Sequence, residues 1–207
     1  MMLLTVLKFI TGPIQTNTYL VYNENKKSFI VDPSSGCDKL IELIKKESFD
    51  VESIVITHAH FDHIMGIPEI LNISPNAAIY VNPLEKAMLQ NAELNSSVLI
   101  GEDFTYQGNT IDLVEGEIAI GSFDVKVFEV PGHSPCGIAL YIEKYLFCGD
   151  VLFAGSIGRT DFAGGDQRKL IEGIKTKLLT LPENTIVCPG HMGRTTIGRE
   201  KKTNPFL

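Results

Sequence analysis

The sequence predicts an α/β fold in which two β-sheets are flanked by helices. Strand-like apolar runs alternate with amphipathic helical segments along the chain. Residues 18–32 and 138–150 are both typical of β-hairpins, and the second strand of each ends in an aspartate, Asp32 and Asp150. This parallel between the halves indicates a duplicated arrangement of two sheets.

The first half of the chain contains five predicted strands and three predicted helices. The strands are expected at residues 4–10, 16–23, 28–32, 53–57 and 78–82. The run "SIVIT" at 53–57 is typical of a strand that is buried on both faces. The helices are expected at 37–48, at 61–71 with an interruption at Pro68, and at 82–94 with Pro83 near the start.

The second half continues with strands and two helices. An alternating strand at 124–130 ends at Pro131, the hairpin at 138–150 follows, and "TIVCPGH" at 185–191 provides the last predicted strand. The clearest helix covers 166–181, with Asp166 in position to cap its N-terminus. The polar C-terminal segment is also expected to be helical.

The length of 207 residues predicts one domain over residues 1–207. The net charge of -7 disfavours nucleic acid as a partner, because phosphate-binding surfaces usually carry a basic excess. The apolar start lacks the basic residues and cleavage site of a secretory signal and is too short to span a bilayer. We therefore expect a cytoplasmic protein without a membrane partner, and the sequence leaves the oligomeric state open.

The cysteines support a reducing compartment. The chain has four, far apart and without a Cys-x-x-Cys pair, so no disulfide framework is expected. They are Cys37, Cys136, Cys148 and Cys188. Cys136 follows His133 closely and is either a thiol near a metal or, as we favour, a small buried residue.

Three of the five histidines lie together in "THAHFDH" at residues 57–63. If the chain stays extended after the preceding strand, His58 and His60 point to the same side and can bind one metal ion. Asp62 and His63 lie at the start of the next helix and can turn toward a second ion. Imidazole and carboxylate ligands without thiolates favour zinc, iron or manganese. The spacing therefore predicts two neighbouring metal ions.

The other two histidines occur in matching Pro-Gly-His turns, His133 in "EVPGHSP" and His191 in "VCPGHMG". Each turn follows an apolar strand, and a Pro-Gly turn ends a strand sharply. Asp150 also follows a strand, in "LFCGD". Since residues on loops held by a rigid sheet commonly form catalytic sites, we expect the five histidines, Asp62 and Asp150 to surround one site.

These motifs resemble those of the metallo-β-lactamase fold superfamily, and within it the small glyoxalase II-like (hydroxyacylglutathione hydrolase-like) hydrolases. The resemblance covers nearly the whole chain through "VDPS", "THAHFDH", "PGHSPCG", "GDVLFAGSIGRTDF", "CPGH" and "NPFL". It implies an αββα sandwich, with two mixed sheets packed face to face, helices outside and the site at one edge. Glyoxalase II adds a C-terminal helical domain that helps to bind glutathione. We expect no such domain here, because the sequence ends sixteen residues after His191.

The resemblance also implies an assignment of the metal ligands. His58, His60 and His133 would hold the first ion, Asp62, His63 and His191 the second, and Asp150 would bridge them. Zinc is the expected metal, with iron and manganese as alternatives. Asp32 would support the ligands from behind, or it is simply a turn aspartate before Pro33.

The expected function is metal-dependent hydrolysis. Metal binding lowers the pKa of water to roughly 7, so a hydroxide is available to attack a thioester or ester carbonyl. Asp62 would accept a hydrogen bond from this hydroxide and orient it, and no Gly-x-Ser-x-Gly nucleophile motif is present. The expected substrate is a small-molecule thioester such as an S-(hydroxyacyl)glutathione, or another ester or thioester.

One alternative is a persulfide dioxygenase of the same fold, which uses a single iron held by two histidines and one aspartate. That family shares "GRTDF" but resembles Pro-Ala-His-Asp-Tyr at its last histidine, whereas this chain has "CPGHMG". A β-lactamase is disfavoured, because lactamases of this fold are usually exported and the set of seven ligands is closer to the thioesterases.

Residues for substrate binding are less sharply indicated. Arg159, in "GSIGRTDF", resembles in position a basic residue that contacts substrate in glyoxalase II, and a guanidinium fits a carboxylate well. The alternative is a structural contact with Asp161 or Asp166. Basic residues of the C-terminal segment would border the pocket or, as we favour, form a solvated helix face. These are Arg194, Arg199, Lys201 and Lys202.

Overall fold

The computed structural model describes residues 4–207 and contains fourteen strands and six α-helices in that range. The strands are β1 (Thr5–Thr11), β2 (Thr16–Tyr22), β3 (Lys27–Val31), β4 (Asp50–Val55), β5 (Ala78–Val81), β6 (Ile111–Asp112), β7 (Gly116–Ile120), β8 (Phe123–Glu129), β9 (Ile138–Ile142), β10 (Tyr145–Gly149), β11 (Leu152–Phe153), β12 (Ser156–Ile157), β13 (Ile186–Pro189) and β14 (Thr195–Thr196). The α-helices are α1 (Asp38–Glu47), α2 (Phe61–Ile64), α3 (Ile67–Leu71), α4 (Lys86–Leu89), α5 (Gln167–Gly173) and α6 (Ile197–Thr203). Short 3₁₀ turns cover Pro83–Glu85 and Ser97–Ile100, and α5 continues as a π-helical turn over Ile174–Leu178.

Twelve of the strands form two mixed six-stranded sheets. The first has the order β1-β2-β3-β4-β5-β6 and the second has the order β14-β13-β10-β9-β8-β7. Strands β11 and β12 form a separate small hairpin. The prediction of two sheets flanked by helices is therefore confirmed.

Alternating side chains on the first sheet divide the apolar core into layers. Ile30 of β3 packs in a cluster with Leu40 of α1, on the helix side of the sheet. Its neighbour Phe29 points the other way and meets Phe123 of the second sheet, with ring centroids 5.0 Å apart. A third cluster packs α5 against the second sheet, including Leu170. Burial of each such side chain stabilises the fold by about 1.5–3 kcal/mol.

The strand directions bring several loops to one edge of each sheet. In the first sheet β3 and β4 are parallel, and in the second β13 is parallel to β10. Strands β8 and β10 are both antiparallel to β9, so they share a direction. Because parallel strands end at the same edge, the residues that follow β3, β4, β8, β10 and β13 can meet.

The predicted interruption of the helix at Pro68 is wrong. Instead, α2 and α3 are separated at Gly66, and Pro68 lies in the first turn of α3, where its fixed φ suits a helix. The Gly66 amide donates to the carbonyl oxygen of Pro33 at 2.9 Å. A Cβ at Gly66 would lie 2.2 Å from the carbonyl oxygen of Ser34, so the helix breaks where the chain crosses the loop after β3.

Other predicted elements differ in length or number. The helix expected at 82–94 is a 3₁₀ turn followed by the four-residue α4. β13 is not the last strand, because β14 pairs with it. Asp166 caps α5 as predicted, accepting from the Lys169 amide at 3.1 Å.

Two further features are the state of the cysteines and the length and apolarity of the helices. All four cysteines are buried and unpaired. None of the helices within residues 4–207 is long and apolar enough to cross a membrane.

Candidate metal centre

The loop between β4 and α2, together with α2 itself, carries four of the predicted ligands. His60 has extended backbone angles, with φ -67° and ψ 147°, immediately before α2 begins. Asp62 and His63 lie inside α2, so their side chains leave the backbone in another direction. All four side chains, including that of His58, are buried.

Three histidine nitrogens converge at the first group. Nε2 of His133 lies 3.2 Å from Nε2 of His58 and 3.1 Å from Nδ1 of His60. In a tetrahedral zinc site with zinc–nitrogen distances of about 2.0–2.1 Å, ligand nitrogens lie about 3.3 Å apart. These nitrogens therefore have the separation that one tetrahedral ion requires.

Hydrogen bonds to the outer ring nitrogens leave the inner nitrogens available for a metal. His133 donates from Nδ1 to the carbonyl oxygen of Arg159 at 2.7 Å. The Thr57 hydroxyl donates to Oδ2 of Asp32 at 2.7 Å, so it accepts from Nδ1 of His58 at 3.2 Å. Both rings then present an unprotonated Nε2 toward each other.

A carboxylate and two imidazoles form the second group. Oδ2 of Asp62 lies 3.1 Å from Nε2 of His63 and 3.1 Å from Nε2 of His191. Thr16 donates its hydroxyl hydrogen to the same oxygen at 2.7 Å. Three donor atoms of ligating type thus lie close enough to hold one ion.

Asp150 lies between the two groups. Its Oδ1 is 3.6 Å from Nε2 of His63. Its Oδ2 is 3.7 Å from Nε2 of His133 and 3.5 Å from Nε2 of His191. This carboxylate is therefore within reach of both groups, which suits the bridging role implied by the sequence.

Unpartnered buried atoms test whether the residues fit metal ions. Nε2 of His63 and Oδ1 of Asp150 are buried and form no well-aligned hydrogen bond among the described residues, although Nε2 of His63 lies 3.1 Å from Oδ2 of Asp62. Such atoms normally have partners, because an unsatisfied buried group costs about 1–3 kcal/mol. Two unpartnered atoms of ligating type, 3.6 Å apart, are accounted for by a bound cation. The donor set therefore fits a pair of divalent ions.

Two histidines of the first group, His58 and His60, are neutral. Burial lowers the pKa of His58 well below its ordinary value, and the imidazoles of His63, His133 and His60 lower it further. Burial and the neighbouring His133 lower the pKa of His60 to about 3. Since neutral imidazole is the form that binds metal, neither residue has to release a proton at neutral pH.

The second group is an ion-pair network. Burial lowers the pKa of His63, but the carboxylates of Asp62, Asp32 and Asp150 outweigh it and raise the pKa well above its ordinary value. Burial also lowers the pKa of His191, but the carboxylates of Asp62 and Asp150 outweigh it and raise the pKa above its ordinary value. Burial raises the pKa of Asp62, but His63 and His191 hold it well below its usual range. Positive charge is therefore drawn to this group, as protons or as a metal ion.

Asp32 supports both groups from behind. Its Oδ1 accepts from the Thr57 amide at 2.8 Å, and its Oδ2 lies 3.0 Å from Nδ1 of His63. Its own φ of 51° is in the left-handed region, which is uncommon for a residue other than glycine and persists where the surroundings fix it. The contact with His63 favours the supporting role over that of a simple turn residue.

Two glycines let the backbone pass close to the donor groups. A Cβ at Gly149 would lie 2.1 Å from Oγ1 of Thr57 and 3.2 Å from Nδ1 of His58. A Cβ at Gly190 would lie 2.3 Å from Oδ1 of Asp150 and 2.6 Å from Cε1 of His63. A side chain at either position would displace a predicted ligand or its support.

A pocket of about 360 Å³ opens onto the two groups. Arg159 is the one Lys or Arg side chain that lines it within residues 4–207. Much of the remaining wall is apolar. The apolar lining residues are Ile14, Phe61, Leu99, Phe153, Ile157, Phe162 and Met192.

Arg159 makes one of its two predicted structural contacts. Its Nε and Nη2 donate to the Asp161 carboxylate at 3.0 and 2.7 Å, and the guanidinium lies 4.5 Å from the ring centroid of Phe162. Asp166 caps α5 instead. The side chain of Arg159 is nevertheless 67% exposed and lines the pocket, so it remains available to a ligand.

The positions of Cys136 and of the basic C-terminal residues agree with the roles that we favoured for them. Cys136 is buried, and burial raises the pKa of its thiol to about 12. The four basic residues of the C-terminal segment do not line the pocket described within residues 4–207. Lys201 and Lys202 are exposed in the last turn of α6.

Strand β2 contributes contacts that the sequence analysis missed. Besides Thr16, Asn17 donates from Nδ2 to the carbonyl oxygens of Pro189 and Met192 at 2.9 and 3.0 Å. Tyr19 donates its hydroxyl hydrogen to Pro189 at 2.8 Å. These bonds hold the loop that carries the last histidine. The available signal was the polar run "QTNT" at the start of an otherwise apolar strand.

Comparison with known proteins gives close matches over the whole site. A family model described as "Metallo-beta-lactamase superfamily" matches residues 11–191. The chain is 38% identical over 200 residues to "Probable metallo-hydrolase YqgX" of Bacillus subtilis (strain 168), covering 95% of this chain and 94% of that protein. It is 33% identical over 205 residues to "Hydroxyacylglutathione hydrolase GloC" of Haemophilus influenzae, covering 93% of each.

Two solved structures are similar in both sequence and fold. One is described as "Crystal structure of BLEG-1 B3 metallo-beta-lactamase", with 41% identity, a TM-score of 0.93, and coverage of 98% of this chain and 99% of that one. The other is TTHA1623 "in a di-iron-bound form", with 34% identity, a TM-score of 0.87, and coverage of 97% and 100%.

Proposed function

This chain belongs to the metallo-β-lactamase superfamily, and from that membership we propose that it is a dinuclear metal-dependent hydrolase of a small-molecule thioester. The same membership confirms the predicted αββα sandwich of two mixed sheets. The observation that carries the proposal is the position of Asp150, whose Oδ2 lies 3.7 Å from Nε2 of His133 in the first group and 3.5 Å from Nε2 of His191 in the second.

The proposed ligands are those implied by the sequence. The three-histidine group would hold the first ion and the Asp62 group the second, with Asp150 between them. We propose zinc as the resident metal. The di-iron form of TTHA1623 makes iron the first alternative, and manganese remains a further one. Bound divalent ions would supply a water activated at neutral pH and polarise a carbonyl oxygen.

The chain's own residues position the attacking water and exclude bulk water. Asp62 is ionised, because His63 and His191 hold its pKa well below its usual range, and it lines the pocket. Its carboxylate can therefore accept a hydrogen bond or proton from an attacking water. The apolar wall keeps bulk water from the reacting groups and accepts the uncharged part of a thioester.

Arg159 is the proposed contact for a substrate carboxylate at the pocket mouth. It is exposed there, and a guanidinium binds a carboxylate through two parallel hydrogen bonds. The name of the Haemophilus influenzae relative supports an S-(hydroxyacyl)glutathione as the substrate class.

The proposal also covers the domain organisation, the compartment and the type of substrate. We propose that residues 1–207 form a single domain, which acts in the cytoplasm on a small molecule rather than on nucleic acid. The four unpaired buried cysteines agree with a reducing compartment.

A second candidate is β-lactam hydrolysis. The set of seven ligands disfavours it, but the chain is 41% identical to a structure described as a B3 metallo-β-lactamase, over nearly the whole length of both. Both reactions use water to cleave a single bond at a carbonyl carbon, to sulfur in a thioester and to nitrogen in a β-lactam, so substrate tests must separate them.

The test combines metal analysis with three assays on the full chain. Metal content is measured by mass spectrometry, and turnover is measured with lactoylglutathione and other thioesters, with a chromogenic cephalosporin, and as oxygen uptake with glutathione persulfide. We expect two ions per chain and thioester cleavage. Robust oxygen uptake by a one-iron sample that cleaves no thioester would overturn the hydrolase proposal.

A further inference from the structure

Glu85 is a fully buried carboxylate that joins the two loops of the three-histidine group. Its Oε2 accepts from the Ala59 amide at 2.9 Å, and its Oε1 accepts from the Cys136 amide at 2.7 Å. Ala59 lies between His58 and His60, and Cys136 lies three residues after His133. We propose that Glu85 is a positioning residue that sets the spacing of these loops and thereby the affinity for the first metal ion. This inference rests on the proposed metal assignment.

The turn after β5 fixes the direction of Glu85. Asn82 follows that strand and accepts from the Leu84 amide at 3.0 Å, which starts the 3₁₀ turn that ends at Glu85. Nδ2 of Asn82 donates to the carbonyl oxygen of Leu113 at 3.0 Å and to Oε1 of Glu129 at 2.9 Å. These bonds start the turn and tie it to two other segments of the chain, so Glu85 projects between the two loops from a fixed position.

The bonding of Glu85 points to a role beyond general stability. A buried carboxylate is costly unless it is paired or hydrogen-bonded. Within residues 4–207 no Lys, Arg or His side chain forms an ion pair with it, and its hydrogen-bond partners are the two amides. A contact between apolar side chains could join the loops without that cost. Because the carboxylate has two acceptor oxygens, it sets a defined distance between the Ala59 amide of one loop and the Cys136 amide of the other.

Charge gives a second reason. Imidazole binds a metal ion in its neutral form, so histidine ligands such as His58 and His60 do not balance the charge of a divalent ion. Glu85 places a carboxylate in hydrogen-bonding distance of the backbone that links them. The carboxylate therefore favours a cation at this group as well as holding its ligands.

Other contacts confine the expected effect to one metal. The loops are also joined by the Ile138 amide, which donates to the carbonyl oxygen of Thr57 at 2.9 Å, so removing Glu85 contacts alters spacing rather than separating the loops. The second group has different supports, namely Thr16 on Asp62 and Asn17 on the loop of the last histidine. Among the described residues, Glu85 forms its hydrogen bonds with Ala59 and Cys136 and not with Thr16 or Asn17.

The test is the variant Glu85→Gln in the full chain. The glutamine amide keeps the shape but turns an NH₂ group toward one of two backbone N–H donors. Zinc affinities are measured by titrating metal-free protein against a competing chelator, and the cobalt(II) absorption spectrum reports ligand geometry. We expect the affinity of the first site to fall about 10–100-fold, as for other residues that orient ligands, while that of the second site stays unchanged. His60→Ala, which removes a ligand, identifies which affinity belongs to the first site.

Glu200→Gln is the matched control. Glu200 is equally buried and accepts from the Thr195 hydroxyl at 2.5 Å and the Gly155 amide at 2.8 Å, but from neither histidine loop. Its variant should lose thermal stability and keep both zinc affinities. If Glu85→Gln does not fold, Glu85→Asp retains the charge but is too short to reach both amides, and the same selective loss is expected.

The outcomes separate this inference from the proposed function. Two wild-type zinc affinities in Glu85→Gln, or an equal loss at both sites, would overturn the positioning role and leave the hydrolase proposal intact. A wild-type chain that binds no second ion would overturn the dinuclear proposal itself.

Discussion

Asp32 and His63 are in contact through Oδ2 and Nδ1, 3.0 Å apart. The same carboxylate accepts from Thr57, whose hydroxyl lies 3.2 Å from Nδ1 of His58. One aspartate therefore reaches a histidine of each proposed metal group, directly in one case and through a hydroxyl in the other. Groups in this position orient metal ligands and raise their basicity.

Asp32→Asn tests this double support. An asparagine places an NH₂ group where Oδ1 or Oδ2 accepts hydrogen bonds, so either Thr57 or His63 loses its acceptor. We expect zinc affinity to fall about 10–100-fold at both sites, measured by chelator competition. Asp166→Asn is the control, since asparagine also caps helices well and the Asp166 side chain contacts Lys169 rather than a proposed ligand. Equal affinities in wild type and Asp32→Asn would show that the contact with His63 is incidental.

His58→Ala removes a ligand of the proposed first ion. Two nitrogens remain in that group besides the shared Asp150 carboxylate, so the first ion loses one of its four proposed protein ligands and binds more weakly. We expect about one ion per chain instead of two, and turnover reduced by orders of magnitude. Metal analysis and thioester assays on the same sample provide the measurement. Unchanged turnover in this variant would reject the ligand assignment.

Gly190→Ala tests the close approach of the backbone. The added Cβ would lie 2.3 Å from Oδ1 of Asp150 and 2.6 Å from Cε1 of His63, both well inside contact distance. We expect weaker binding at the second site and a lower melting temperature. Gly193→Ala is a neighbouring control, because a Cβ there has no atom of the described chain within 4 Å. If both variants bind metal like the wild type, the loop adjusts freely and the fit inferred here is wrong.

Arg159→Ala and Asp161→Ala separate the two roles of the arginine. Both break the same exposed ion pair, so a structural role predicts similar effects on melting temperature and kinetics. A substrate role predicts that Arg159→Ala alone raises KM for a thioester that carries a carboxylate, about tenfold for one lost charged hydrogen bond. An uncharged thioester serves as the internal comparison. A KM that is equal for both variants would favour the structural contact alone.

Much of the site was predictable because its signals are local. The alternation of side chains along an extended chain placed His58 and His60 on one side. Pro-Gly turns marked where His133 and His191 leave their strands. The helix cap at Asp166 was likewise local and is confirmed. Where local signals conflicted with packing they failed, as at Pro68, because the helix breaks where Gly66 crosses another loop.

The sequence by itself determined the chemical type of the donors, their positions at strand ends and the family of the fold. Only the tertiary structure decided which atoms meet. The Glu85 bond to Cys136 spans 51 residues and the approach of His58 to His133 spans 75. Distances of this kind depend on how two sheets pack face to face, and no periodicity within either segment encodes them. For that reason "THAHFDH" predicted a metal centre and the family resemblance implied a supporting role for Asp32, while the bonds of Glu85 to both histidine loops became visible only in the tertiary structure.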